Sequence, residues 1–374
     1  MLDSATDTSP LDAATATPAP QGLDLVEWYF RQPWSDGLPV VPPTPEKVAA
    51  MVDALGGDPA MVECRIPPRW GDLSRETLAI NLVMAGCLPG YAPVVRAALL
   101  AMCEPQFNLN GLQASTHMAA PLLIVNGPVR KSIGMNAGCN VFGPGNRANA
   151  TIGRAIRLVM LTVGGGVPGD LDKATLGHPG KYTYCIAENE EESPWAPYHV
   201  EQGLRPEDDC VFVIASEAPH SASNHVADDP EGILDTLISV MSTMGHNNAT
   251  MGGSCTVIVG VEHAKTIAAK GWTRDDVKNY LWMYSGNTFD AISYGNRYGK
   301  IYNKNLPRWY RRNPESRIPI VERADHIHLF VAGGAAGRFS AFVPGWGNVT
   351  VPQLRAIQSG RSAAPVCIDG TCAL

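Results

Sequence analysis

Four short, unbroken apolar runs do most to limit what this chain can become. They are 121–126 (PLLIVN), 211–215 (VFVIA), 255–261 (CTVIVGV) and 326–331 (HIHLFV). Runs this short are far below the ~18 residues of a membrane span and read as buried strands. The last three are separated by helix-period stretches at about 231–243, 262–270 and 274–285. Residues from 205 onward therefore read β-α-β-α-β, which predicts an α/β fold with a mostly parallel sheet and crossover helices in the C-terminal half.

The half before 205 is richer in helix. A short amphipathic helix is expected over 23–34. Four prolines force 36–45 to be extended, and Pro45 then opens a helix that Gly56-Gly57 closes. Asp72 or Ser74 can cap a helix running to about Cys87, and another follows Pro93 to about Cys103. A helix over about 149–163 stops at Gly164-Gly165-Gly166. The organisation expected is a disordered lead-in at 1–22, a helix-rich α/β domain at 23–204, an α/β domain at 205–358 and a Cys-containing tail at 359–374. The Tyr-, Asn- and Arg-rich stretch 286–318 reads as an ordered insertion or subunit contact, and a homo-oligomer is expected.

With 29 Lys and Arg against 36 Asp and Glu, the net charge is −7. A nucleic-acid binder would normally carry a basic excess, so none is expected as partner, nor is a membrane. The nine cysteines are widely spaced and odd in number, and no basic segment followed by an apolar stretch opens the chain. Cytoplasmic placement with reduced thiols is the expectation.

Four groups of residues invite chemistry. In 139–154 (CNVFGPGNRANATIGR), a Gly143-Pro144-Gly145 knuckle feeds a helix start, whose free N–H groups and dipole favour an anion. Asn140, Gly143, Gly145, Arg147, Asn149 and Arg154 are the candidate anion-binding residues, with Cys139 at the rim. The missing Lys-Ser/Thr ending separates this segment from the phosphate loop of nucleotide-binding proteins. In 181–192 (KYTYCIAENEEE), Cys185 is a candidate nucleophile, Glu188 a candidate acid or base, and Asn189 a binding residue. The histidines form the third group. His117 precedes a strand, His220 and His225 follow one, and His246 precedes another. His326 and His328, two apart, are expected on one face of a strand. His220, His225 and His246 are candidate metal ligands, although no zinc framework such as HExxH or paired CxxC is present. Last, Cys367 and Cys372 flank a turn in the tail, where a dithiol can carry electrons or a soft metal.

The stretches WSDGLPVVPPT (34–44), IPPRWG (66–71), INLVMAGCLP (80–89), NVFGPGNRANATIGRAIRL (140–158), DKATLGHPGKYTYCIAENEEESPW (172–195) and VAGGAAGRFSAFVPGW (331–346) resemble a widespread bacterial family. Its members carry labels such as thioredoxin-like or thiol-disulfide oxidoreductase. They are related to proteins named for a selenocysteine/cysteine-Gly-Ser-Cys motif. The resemblance covers most of the chain and implies thiol or selenol redox work. The nearest match to the motif is Gly252-Gly253-Ser254-Cys255, where Gly252 stands in place of the leading Cys or selenocysteine.

The leading expectation is an enzyme acting on a small anionic organic molecule. Cys139, Cys185 or Cys255 would supply a thiolate for reductive or lyase-type cleavage of a carbon–heteroatom bond, with Glu188 or His117 moving protons. An external dithiol or a transition metal are the cofactor candidates. The alternatives are a metal-dependent lyase or hydrolase built on His117, His220, His225 and His246, and a non-catalytic partner subunit of a thiol or selenol redox protein.

Overall fold

The computed structural model describes residues 24–293 and 308–358. The lead-in, residues 294–307 of the expected insertion, and the tail with Cys367 and Cys372 lie outside the described residues.

The expected helices form, with their caps. Ser74 caps Arg75–Ala85 by accepting from the Thr77 N–H, and Gly86 ends that helix in the left-handed conformation. Asn146 caps Arg147–Thr162 by accepting from the Asn149 N–H, two residues ahead of the expected start. Among the described residues no single helix is long and apolar enough to cross a membrane. A bent pair, Arg75–Ala85 with Pro89–Met102, passes by length and composition. Its apolar side chains are buried in the protein's own core.

Twelve strands are described. β1 (Val62–Ile66) and β2 (Gly71–Ser74) form an antiparallel hairpin, and β8 (Asn287–Thr288) pairs with β9 (Arg317–Ile318). β3 (Ala120–Asn126), β4 (Cys185–Ala187), β5 (Cys210–Ser216) and β12 (Gln353–Ala356) make one sheet, in the order β12-β5-β3-β4. β6 (His220–Ser223), β7 (Cys255–Val259), β10 (Ile327–Val331) and β11 (Phe339–Val343) make the other, in the order β10-β7-β11-β6. The sheet expected to be mostly parallel is mixed: β10 and β7 are parallel, whereas β7 with β11 and β11 with β6 are antiparallel.

Why the apolar runs misled on sheet type is visible in the packing. Along β5, Val211, Val213 and Ala215 face a core shared with the N-terminal helices, while Cys210, Phe212 and Ile214 face a second core. β3 divides the same way. β7 and β10 send Cys255, Val257, Val259, Ile327, Leu329 and Val331 to a third core, and Ile258 and Phe330 to the second. The two sheets are therefore stacked face to face, each covered by helices on its outer side. Both faces of β3, β5, β7 and β10 are buried, which removes polar alternation without requiring parallel pairing.

The two sheets also share one strand plan. Each begins with a parallel pair joined through helices, β3 to β4 and β7 to β10, and adds an antiparallel strand beside the first member, β5 or β11. The outer strand then comes from the stretch that follows the other sheet's antiparallel strand: β12, after β11, pairs with β5, and β6, after β5, pairs with β11. At the crossing, Ser216 bridges Gly345. The Glu217 N–H donates to the Pro344 carbonyl (2.8 Å) and the Trp346 N–H to that of Ala215 (3.0 Å). β5 and β12, both after residue 205, complete the sheet of β3 and β4, whereas every strand of the other sheet lies after 205.

The seam between the sheets is polar at one place. Arg274, capped into its helix by Thr273, is 2% exposed and pairs with the fully buried Glu188 at 3.0 Å. It also donates to the carbonyls of Leu329 (3.1 Å) and Ala196 (2.8 Å). The other Glu188 oxygen accepts from the Asn126 amide and the Tyr198 N–H. Beside this pair, Tyr198 stacks on Phe330 and its hydroxyl meets His328 Nδ1 at 2.8 Å. Removing one member of a buried pair strands the other charge. Arg274→Ala should therefore cost about 3–5 kcal/mol in urea-denaturation stability, against under 1 kcal/mol or so for truncating the exposed Arg65 of the Arg65–Asp72 pair.

Burial, reinforced by His326 and Lys278, pushes the His328 imidazole down to about 3. The unfolded chain takes up this proton near pH 6.5 and the folded chain refuses it. The stability this neutral histidine permits is complete above pH 6.5 and is lost as pH falls from there toward 3. His328→Gln should flatten that part of a plot of urea midpoint against pH.

Candidate functional site

Where the helix Arg147–Thr162 ends, the chain turns through Gly164-Gly165-Gly166 and runs over the helix surface before entering β4. Gly165 adopts φ +69°, and an added Cβ would meet the Arg69 side chain. Between this returning segment and the helix lies an open cavity of about 560 Å³, lined among others by Asp36, Arg157, Leu161, Asp172, His178 and Lys181.

Its floor is an ionic triad. Asp172 is 5% exposed, and both its oxygens accept from the Lys181 ammonium, at 2.8 and 2.9 Å. Arg157 reaches one of them at 3.1 Å, and the Ala174 N–H donates to the other at 3.0 Å. Burial alone would raise the Asp172 carboxyl, but Lys181, Ala174 and Arg157 together hold it below the ordinary carboxylate range. Burial pulls the Lys181 ammonium down, against the opposing pull of Asp172. The other acid at the rim, Asp36, is taken up by Arg154 through two contacts at 2.8 and 2.9 Å. Two cations thus share one carboxylate on the floor, leaving an excess positive charge.

Behind the triad a chamber of about 20 Å³ shares Arg157, Asp172 and Lys181 with the cavity. That is room for about one water molecule. Gln113 lines it, 3% exposed; its amide nitrogen donates to the Pro67 carbonyl, and its Oε1 has no hydrogen-bond partner. A buried acceptor without a donor is costly unless something in the chamber supplies one.

His178 stands at the rim, its Nδ1 accepting from the Gly180 N–H. Burial lowers its pKa, the Ser216 backbone raises it, and Lys181 lowers it further, so the net direction is down. His178 also feels the neighbouring Glu217 and His117. Those two pair at 3.1 Å, and the same Glu217 oxygen accepts from the Asn247 N–H. Burial raises the Glu217 carboxyl, but His117 and Asn247 outweigh it and the net shift is downward. The strand crossing at Ser216 thus gathers an acid–base cluster next to the cavity.

The residues singled out from sequence are distributed otherwise. The Gly143-Pro144-Gly145 knuckle is open to solvent, but its cations and asparagine side chains have structural partners. Asn140, at φ +59°, donates to the Pro144 carbonyl (3.0 Å), and its carboxamide fills the space that a Gly143 side chain would need. Asn149 is buried and bonds the backbone of Asn136 through both ends of its amide. Arg147 donates to the Gly86 carbonyl. Arg154 is spent on Asp36 and on the carbonyls of Leu38 and Pro39. Gly145, at φ +118°, has open space where a side chain would project. Asn189 bonds Val331 and Gly333, joining the ends of β4 and β10.

Cys185 and Cys255 are enclosed, and burial pushes both thiols up, away from thiolate chemistry. Cys139 is exposed. Glu188, expected to be an acid or base, is the seam partner of Arg274. His220 is exposed on β6, His225 sits edge-on to Phe339, and His246 caps the helix Asn247–Met251 while its Nε2 meets the Met241 carbonyl. Among the described residues no three His, Cys, Asp or Glu side chains come together as a metal site. His326 and His328 do not share a strand face: His326 ends a 3₁₀ turn and pairs with Glu322, whereas only His328 lies on β10 and is buried.

Sequence reading missed Arg157, Asp172, His178, Lys181, Gln113 and Glu217. Asp172, His178 and Lys181 all lie in the run 172–195, where attention went to Cys185 and Glu188 instead. No family model, curated protein or solved structure matches the chain.

The burial pattern sets an order of thiol reactivity. Timed iodoacetamide labelling with peptide mapping should modify Cys139 first. Cys87, Cys185, Cys210 and Cys255 should stay unlabelled until the chain unfolds.

Proposed function

We propose that this chain is an enzyme acting on a small anionic organic molecule, and that the cavity over Asp172 is where the molecule binds. The observation carrying this reading is the pair of cations, Arg157 and Lys181, sharing one buried carboxylate at the base of an open cavity. A ligand carboxylate would complete the charge balance there through charge-assisted hydrogen bonds. Above the floor, Leu161, Leu176 and Tyr182 supply apolar wall, suited to an aliphatic or aromatic body on the same molecule.

His178 is the proton-transfer group in this reading. Its lowered pKa keeps it neutral near pH 7, and the base is then Nδ1, which takes a proton by giving up its contact with the Gly180 N–H. Lyase-type cleavage of a carbon–heteroatom bond, by removal of a proton beside the bound carboxylate, is the reaction class these groups suit. Among the described residues no cysteine lines the cavity, so acid–base chemistry is favoured over a thiolate, and a thiol step would fall to Cys139.

Calorimetric titration with benzoate and with short aliphatic carboxylates tests the binding part. Lys181→Met should weaken carboxylate binding at least about tenfold, the worth of one charge-assisted hydrogen bond. Arg147→Met, at the knuckle, should leave it unchanged. The reverse pattern would move the anion seat to the knuckle, and no carboxylate binding by the unaltered protein would sink the proposal. Once turnover of a carboxylate is found, its rate should fall on the acid side of the ordinary histidine range, where His178, its pKa lowered by burial, takes up its proton.

A further inference from the structure

We propose that Cys64 and Cys103 form a reversible intramolecular disulfide, a modification site independent of the cavity. Cys64 lies on β1 and Cys103 ends the helix Ala92–Met102. Their sulfurs are 3.0 Å apart, and the Cys103 sulfur also lies 3.6 Å from the Arg65 carbonyl. Both residues are partly exposed, so a small oxidant can reach them. The other described cysteines lack this arrangement. Cys87 donates to the Thr151 carbonyl, Cys185, Cys210 and Cys255 are enclosed, and Cys139 is exposed with no partner sulfur.

The residues on either side hold the pair in place. Glu63 is pinned by Arg75 at 2.6 Å and Arg96 at 2.8 Å, Arg65 pairs with Asp72 at 2.7 Å, and Glu104 pairs with Arg355 at 3.0 Å. The backbone is therefore positioned for a cross-link before any oxidant arrives. That is what a disulfide requires of its two ends.

The oxidant is a low-molecular-weight disulfide. The Cys103 sulfur attacks one of its sulfurs, forming a mixed disulfide and expelling one small thiol. The Cys64 sulfur then attacks Cys103 in that mixed disulfide, forming the Cys64–Cys103 bond and expelling the second small thiol. The two protein thiols lose two electrons and two protons, and the small disulfide gains them. The Cys103 sulfur and burial hold the Cys64 thiol above its ordinary range, which leaves the first attack to Cys103.

The bond would tie β1 to the helix and close the intervening chain. That chain includes Arg69, whose N–H donates to the Gly164 carbonyl (3.0 Å) and whose side chain pairs with Asp170 (3.0 Å), on the segment that walls the cavity. Shortening the unfolded chain's freedom raises stability.

The test treats the full chain with oxidised glutathione, alkylates the remaining thiols, and maps peptides without reduction. A Cys64–Cys103 linked peptide is expected, lost on adding dithiothreitol. The melting temperature of the oxidised protein should be higher by several degrees, on the order of what closing a loop of this length confers. Cys103→Ser should abolish that rise. Recovery of both cysteines as separately alkylated peptides would overturn the proposal. So would a glutathione adduct that persists on either one.

Discussion

Exchange of outer strands between the two sheets is the constraint from which the rest of the architecture follows. β5 cannot end at the edge of its own sheet, because its continuation is the outer strand of the other; β11 and β12 repeat the arrangement in reverse. Neither sheet is complete without a strand that directly follows a strand of the other. The crossing leaves a polar seam between two apolar faces, and Glu188 with Arg274 fills it. A charge pair that deep is tolerated because Asn126, Tyr198, Leu329 and Ala196 take up most of its remaining donors and acceptors, and Glu201 lies 3.2 Å from the Arg274 Nε. Its geometry ties the end of β4 to β10 and to the helix that begins at Arg274.

The candidate site is a consequence of the same plan. The parallel pair β3 and β4 demands a crossover, and Arg147–Thr162 provides it. The return from that helix to β4 is long, and it is in this return that Asp172, His178 and Lys181 lie. The strand crossing then brings Ser216 and Glu217 to the same end. One topological necessity therefore places a cationic floor and an acid–base cluster side by side.

Much of the fold was legible in the sequence. Caps such as Ser74, the proline at 45 and the glycines after 162 are local signals, and local structure obeys them. The four apolar runs are all strands. What they hid was their partners: Phe212 and Phe330 look like any buried strand residue until they meet across two stacked sheets. The shared strand plan was hidden as well, because it lies in topology and not in repeated residues. β4, β6, β11 and β12 are short, and no apolar run marked them as strands. At the site, nothing in the local sequence sets Asp172 and Lys181 apart from the chain's other charged residues. Only the fold brings Arg157, a helix residue, against both. Glu188, an acid in an acidic run, is fully buried and paired with Arg274, a placement no local signal marks.

The account stands most directly on where an anion binds. Amide chemical-shift mapping of the deuterated protein during a benzoate titration locates it without assuming a reaction. Saturable shifts at Gly169, at Gly177 and Gly180, and at Lys181 and Tyr182 are the predicted result. Shifts centred on Gly143 to Asn149, or none that saturate, would contradict it.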